Sequence, residues 1–546
     1  MAFFLICSVC ATLCAMGAIP GSADNAQQHA DSTDSLVAAA RDAARRDANV
    51  DAMALWRRAV AREPWRRSEW LLELADQTTY AGLAAEAVPL YREFLQLEER
   101  SPEEQRRARL GLALALSWSG ELEESLREYE TYLAWYPDDL QAQLGRARVL
   151  SWMNRNVESR RAYYQIVLDH PRNIEARRNL GRVDSWRGKH RAAERQLQEI
   201  VRRHPGDAEA VLFLAQTQEW MGRPDRAKTT LRTRLRADPA DVNALGLLRS
   251  IERRERPGLR VDYRGSRQTD DLIIRFTTFA QDWFISQGLS TLGVRYQFQD
   301  YDPQGEEESV RVHRPGGYGR HRFNDIVEWT AFAFVDRIDV RRLDTVHWRF
   351  TYDTWLTVWP SDLARIDVGS NRTTLDNVPS LERNIVATYI NLATDVFPNE
   401  LWRAVARVKY GDFTDGNAQL WGQVEGERRL RTLPRMWAGL RATAFRFRDM
   451  LPNGYFNPSE YFSADATFRM FEPRGEDLRY ALAGSAGFEH ASPGGSKFIW
   501  SAGVRIDYLI SGRFDLGGHL GHFSSATASS SGFARTTFGA QLRLVW

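Results

Sequence analysis

Two different rhythms of apolar and polar residues divide this chain. Near its end, Phe498, Trp500, Ala502, Val504, Ile506, Tyr508 and Ile510 occupy every second position, with Ser501, Gly503, Arg505 and Asp507 between them. Side chains alternate across a strand, so this spacing predicts one apolar and one polar face. The rhythm recurs upstream. Val346, Trp348, Phe350, Tyr352, Leu356 and Val358 oppose His347, Arg349, Thr351 and Asp353. Trp402, Ala404, Ala406, Val408 and Tyr410 oppose Arg403, Arg407 and Lys409, and Leu478, Tyr480, Leu482, Ala486 and Phe488 oppose Arg479, Ser485 and Glu489. The last stretch sets Ala534, Thr536, Phe538, Ala540, Leu542, Leu544 and Trp546 against Arg535, Thr537, Gly539, Gln541 and Arg543. No helical pattern follows to cover the apolar faces. An apolar outside, a polar inside and aromatic ends predict a transmembrane β-barrel of about 16 antiparallel strands over residues 258–546, an even count as single-chain barrels have. Turn clusters at Asp302-Pro303-Gln304-Gly305, Pro315-Gly316-Gly317, Pro473-Arg474-Gly475 and Pro493-Gly494-Gly495 separate the segments.

Upstream the period is helical and repeats at 34 residues: Pro137, Pro171, Pro205 and Pro239; Trp118, Trp152, Trp186 and Trp220; Gly120, Asn154, Gly188 and Gly222. A 34-residue period is that of the tetratricopeptide repeat, a helix–turn–helix unit. Gly or Asn suits the left-handed turn after a first helix. Ser125, Ser159, Ala193 and Ala227 supply small residues where helices approach, and Tyr129, Tyr163, Leu197 and Leu231 the large residue one turn later. Gly82, Ala87 and Tyr91 mark a further repeat, expected to have a longer second helix ending near Pro102; Ala52, Trp56 and Pro64 mark a degenerate first one. The reading is an all-α solenoid of about six repeats over 33–241 with a closing helix at 242–256, inside a domain spanning 24–257. The tryptophans that end first helices are expected to pack between repeats. Arg107, Gln141, Arg148, Arg178, Arg182, Gln216 and Glu219 fall on the side of the first helices predicted to face a concave groove, where a partner protein would dock.

Composition narrows the function. The net charge of +2 gives no basic stripe for nucleic acid. Mean hydropathy is −0.47, and past the N-terminus no apolar run is long enough for a spanning helix; a barrel needs none. All three cysteines, Cys7, Cys10 and Cys14, lie in an apolar stretch that reads as a signal-peptide core, with Gly21-Ser22-Ala23 as the cleavage site of a 1–23 leader, although no Lys or Arg precedes it. The mature chain would then lack thiol chemistry and disulfides.

The expected lumen is polar. Arg275, Arg295, Arg349, Arg407, Arg505, Arg535 and Arg543, with Asp353, Glu425 and Asp507, are the candidate residues that a transported substrate would meet. Arg260, Arg365 and Arg429 extend the basic set; Asp262, Asp367, Glu427 and Asp465 extend the acidic one. Ten histidines are scattered, and His519 and His522 fall on opposite faces of one strand. No H-E-x-x-H, phosphate-binding loop or G-x-S-x-G occurs, so neither catalysis, a metal nor a cofactor is expected.

A leader, a repeat array and a C-terminal barrel together resemble the outer-membrane exporters of bacterial exopolysaccharides, including the poly-β-1,6-N-acetylglucosamine export porin and the outer-membrane component of cellulose secretion. Residues 453–463, NGYFNPSEYFS, look like an aromatic–aromatic–x–Pro–x–x–aromatic barrel segment of that family. The array is shorter than those exporters often carry. The resemblance implies a barrel in outer-membrane lipid, periplasmic repeats, a polysaccharide chain as substrate, and periplasmic or inner-membrane synthesis or modification proteins as partners. The alternatives are a small-solute porin and a repeat-based scaffold anchored by a plugged barrel.

Overall fold

The computed structural model describes residues 32–98, 100–303, 309–432, 434–474, 477–511, 513–528, 532 and 534–546. The expected leader, with its three cysteines, lies outside them. The chain divides into two compact units, residues 1–186 and 187–546.

The first unit holds helices α1 (Thr33–Arg45), α2 (Asn49–Arg62), α3 (Arg67–Tyr80), α4 (Ala84–Leu95), α5 (Pro102–Ser119), α6 (Leu122–Trp135), α7 (Leu140–Trp152), α8 (Asn156–Asp169) and α9 (Ile174–Trp186). They pair as the period requires. Gly82, Gly120 and Asn154 all take positive φ at the turns between paired helices. Ser125 and Ser159 are fully buried at the close approaches, and each hydroxyl donates to a carbonyl of the preceding helix, Ala113 at 2.7 Å and Ala147 at 2.8 Å. The ring of Tyr129 lies so near Gly145 that a Cβ there would fall 2.4 Å from it. The second helix of the Gly82 repeat is not long: α4 stops at Leu95, and Pro102 opens α5 behind the Ser101–Glu104 capping box. Proline is well placed at a first helical position, so here it starts a helix instead of ending one.

The second unit begins with α10 (His190–Arg203), α11 (Ala208–Trp220), α12 (Pro224–Ala237) and α13 (Val242–Arg254). Then come sixteen antiparallel strands: β1 (Gly258–Gln268), β2 (Ile273–Ile285), β3 (Ser290–Asp302), β4 (Val310–Arg322), β5 (Val327–Val340), β6 (Thr345–Ser361), β7 (Ala364–Thr374), β8 (Val386–Val396), β9 (Trp402–Phe413), β10 (Ala418–Arg431), β11 (Arg435–Phe447), β12 (Glu460–Arg474), β13 (Leu478–Ser492), β14 (Gly495–Ser511), β15 (Phe514–Phe523) and β16 (Arg535–Val545). Each strand pairs with its neighbours in sequence, and β16 closes on β1. Pro315-Gly316-Gly317 is not a turn. It lies inside β4, where a Cβ on Gly316 would meet the Ala333 carbonyl at 2.3 Å.

The registers set the two faces. Leu292, Val294, Val408, Val424, Leu440 and Leu520 point outward and are exposed. Such a face suits lipid, and the polar residues turn inward. The rim where β1 starts and β16 ends is called proximal here; it has the short turns. The distal rim carries the long connections 375–385 and 448–459, and residues 524–528 after β15.

The helices of the second unit are held on proximal turns by arginines. Arg187 pairs with Glu400. Arg191 donates to the carbonyls of Trp359 (2.6 Å) and Asp325 (3.1 Å). Asp325 accepts from Arg223 (2.6 Å) and Arg226 (2.9 Å), and Lys228 donates to the Gln287 carbonyl at 2.8 Å. Burial would raise the Asp325 carboxyl, but the Arg223 hydrogen bond and the Arg226 charge outweigh it and hold the group below its ordinary value. Asp225, also bound to Arg223, is lowered in the same way. A depressed carboxylate contributes stability above its unfolded pKa, near 4, and loses it as pH falls through the folded value. The junction is therefore expected to be unchanged between about pH 7 and 5 and to loosen below about pH 4. Asp325→Asn should weaken it by on the order of 1–3 kcal/mol at neutral pH. Hydrogen exchange at α10 and α12 should rise while strand amides stay protected; unchanged exchange would contradict this account.

Candidate functional site

A closed sheet encloses the inward side chains, and here they are charged and cross-linked. Near the proximal rim, Arg403 binds Asp395 (2.7 Å) and Glu427 (2.9 Å), and Arg469 binds Glu427 bidentately at 2.5 and 2.6 Å. Higher up the wall, Arg407 donates to Gln423 (2.8 Å), which donates to Thr443 (3.0 Å). Arg441 pairs with Asp465 at 2.6 Å. Lys409 sits between the rings of Tyr389 and Trp421, 4.8 and 4.9 Å from their centroids.

Nine of the ten candidate lumen residues fall on the inner face by register. Arg295 lies over Tyr318 (4.4 Å) and Phe332 (4.8 Å). Asp353 accepts from Trp355 at 2.6 Å, and Arg349 donates to the Trp348 carbonyl. Arg505 binds Asp507 at 2.9 Å, Arg543 lies 3.9 Å from Asp515, and Arg535 pairs with Asp376. Glu425 lies beside Arg441 in the ladder. The tenth, Arg275, is misplaced by the expectation. It faces outward in line with Thr277 and Phe279, and binds Asp300 (2.9 Å) and Asp302 (3.2 Å) on the same outer face. The reason is packing. At the distal end of β2 the inner positions are Ile274 and Phe276, which join an apolar cluster inside the barrel, so the polar residue is turned out.

That cluster is part of a distal closure that the alternation did not reveal. Ile274, Tyr301, Val310, Val312, Ile338 and Val340 converge on Leu381 of a short helix, α14 (Val378–Glu382), in the β7–β8 connection. A second cluster joins Leu375 and Ile385 with Phe413, Phe445, Phe447, Tyr455 and Tyr461. Tyr455 comes from the NGYFNPSEYFS segment; it stacks on Phe413 at 5.3 Å and donates to Asp415 at 2.9 Å. Asp376 reaches Arg535 on β16, eight strands around the barrel from β8. The β7–β8 connection thus crosses the distal mouth. The one sequence signal was Asn377 before Pro379: Asn377 caps α14 by accepting from Ser380 at 2.9 Å.

Among the candidate docking residues of the repeats, Arg107, Arg148, Arg182, Gln216 and Glu219 are engaged within their own units, while Gln141 is exposed. Arg107 donates to Asp76 at 2.7 Å, where Tyr91 also donates at 2.6 Å. Burial raises the Asp76 carboxyl although Arg107 opposes it. Arg148 pairs with Glu175, and Arg182 lies 4.8 Å from the Trp186 ring. Arg178 shares the α9 helix with Arg182. In the second unit Gln216 donates to Glu219 (2.6 Å), and Glu219 binds Arg254 (2.6 Å). The repeat tryptophans are not fully packed away: Trp118 and Trp220 stay exposed, Trp118 edge-on to Tyr80 at 6.1 Å.

Residues 186–251 match the family model described as tetratricopeptide repeat. No curated relative matches. Among solved structures, one described as "Bacterial polysaccharide outer membrane secretin" aligns at a TM-score of 0.43 and 13% identity, covering 54% of this chain and 99% of that one. A tetratricopeptide repeat protein from Parabacteroides merdae ATCC 43184 aligns at 0.35 and 19%, covering 40% and 85%. CdiB from Acinetobacter baumannii aligns at 0.35 and 8%, covering 53% and 60%. At these scores the likeness carries no functional argument. The chain thus has an N-terminal array of paired helices, of which residues 186–251 match the tetratricopeptide repeat model, followed by a closed sixteen-stranded antiparallel barrel.

Removing residues 376–383 should open the distal mouth. In planar bilayers the deletion variant is expected to conduct severalfold more than the parent. Equal conductance, with the barrel still folded, would contradict the closure.

Proposed function

We propose that the protein carries a polysaccharide across the outer membrane, with the repeats in the periplasm and the proximal rim facing them. One observation carries this reading: a wall of charged and hydroxyl side chains lines the barrel from its proximal rim to the distal apolar clusters, and its proximal turns are bound to the last repeats by Arg187, Arg191 and Arg223. A glycan needs a wettable wall with many modest contacts, so that it slides without sticking. A passive pore for small solutes has no use for a helical array fixed at its inner mouth. The repeats would bring synthesis or modification proteins to that mouth. With the candidate side chains Arg107, Arg148 and Glu219 already paired inside the array, such docking would compete with internal ion pairs. No energy-coupling motif is present in the sequence, so the driving force would be polymer synthesis itself.

The closed distal mouth favours a second reading, a scaffold anchored by a plugged barrel. Gene deletion separates the two. Export predicts loss of surface polymer with accumulation in the periplasm; normal surface polymer in the deletion strain would sink it and leave the scaffold or a solute porin.

A further inference from the structure

The proximal rim is electrically lopsided. On the side of β4–β9 its turns and strand ends carry Asp325, Asp362, Asp395 and Glu400, three of which receive arginines of α10, α12 or the segment before α10. On the side of β10–β11 the rim carries Arg428, Arg429, Arg431 and Arg435 around one short turn. Four residues there converge on the inner wall. Trp437 stands opposite Arg429 on one side and Arg469 on the other in the ladder. The Arg429 guanidinium lies 5.9 Å from the Trp437 ring and that of Arg469 5.4 Å. Arg435 is the next inward position towards the rim and is exposed.

The carboxylates of this neighbourhood are already committed. Glu427 is buried between Arg403 and Arg469, Asp395 is bound to Arg403, and Glu400 is bound to Arg187. Glu425 lies two inward positions farther from the rim than Arg429 on the same strand and stands opposite Arg441. Among the described residues, no carboxylate forms an ion pair with Arg429 or Arg435. Arg469 has its carboxylate in Glu427, whereas Arg429 and Arg435 have none in direct contact, and the half-buried Trp437 indole lies beside them. An indole face stacks on a flat ligand ring, and a guanidinium fork matches a carboxylate. Its inward orientation separates it from lipid, and the backbone N–H of Arg429 donates to the Leu401 carbonyl at 2.7 Å, which ties this wall to the connection bearing Glu400.

We propose that Trp437, Arg429 and Arg435 form a binding subsite at the proximal mouth for one anionic sugar unit, so that the exported chain is a carboxylated glycan. This rests on the export reading above. The pyranose ring lies on Trp437 and its carboxylate bridges Arg429 and Arg435. Position gives the subsite its use: it receives the chain beside the point where Arg187 joins the repeats to the barrel.

Calorimetric titration of the full-length protein in detergent tests this, with tetragalacturonate and uncharged maltotetraose as probes. Tetragalacturonate should bind and maltotetraose should bind at least tenfold more weakly. Arg429→Gln and Arg435→Gln should each reduce tetragalacturonate affinity about tenfold. Trp437→Phe should retain most of the binding and Trp437→Ala should lose it. Arg435→Gln changes an exposed side chain, and the heat-dependent gel shift of the barrel reports folding of every variant. Equal affinity for both probes, no binding of tetragalacturonate, or full affinity in folded Arg435→Gln would each overturn the proposal. None of these results bears on export as such, which fails only if the deletion strain keeps normal surface polymer.

Discussion

The pairing of β1 with β16 is the constraint on which the barrel depends. Eleven residue pairs, from Gly258 with Val545 to Gln268 with Arg535, close the sheet. In hydrocarbon an unpaired strand edge would leave backbone N–H and C=O groups without partners, each costing several kcal/mol. Closure removes both edges, and it also fixes what every other residue does. With the register set, odd positions of β9 such as Arg403, Arg407 and Lys409 must face in and even ones such as Val408 and Tyr410 must face out. The charged lumen is therefore a consequence of the same bonds that make the outer face apolar.

Charge then organises the two ends. At the proximal rim, acidic turns receive the arginines of the adjoining helices, and desolvated pairs of this sort are costly to break one partner at a time. The adjoining β10–β11 arc keeps Arg429 and Arg435 without such partners, the feature on which the proposed subsite rests. At the distal rim the lumen changes character. Apolar inward residues of β2–β5 and β8–β12 pack against α14 and Tyr455, and one ion pair, Asp376 with Arg535, ties the β7–β8 connection to the far wall.

Much of this was legible in the sequence, and the exceptions share a cause. Alternation located the strands, and the parity of Arg349, Asp353, Arg505 and Asp507 follows from their apolar neighbours. It misplaced Arg275 because parity says which residues share a face, and only packing says which face is inside. Where Ile274 and Val312 meet the distal cluster, apolar is inward and the rule inverts. Local propensity misled in Pro315-Gly316-Gly317, where the closing sheet overrides turn chemistry and uses glycine for close approach. Likewise the spacing of Pro102 predicts a helix stop, and the Ser101–Glu104 capping box makes it a start. The distal closure was invisible because its contacts join residues as far apart as Asp376 and Arg535, which no local pattern encodes. Trp437 and Arg469 carry no signal individually; their meaning comes from the carboxylates that Arg403 and Arg187 have already taken.

The central claim is that a polar interior passes through an apolar-walled barrel in the register described. With Cys7, Cys10 and Cys14, the three cysteines of the chain, replaced by serine, single cysteines can be placed along β14 in a background without other thiols. Residues 500–507 should alternate when their labels are challenged in membranes. Labels at Trp500, Ala502, Val504 and Ile506 should respond to a quencher dissolved in lipid, and labels at Ser501, Gly503, Arg505 and Asp507 to one dissolved in water. A response without alternation, or with the opposite phase, would contradict the account.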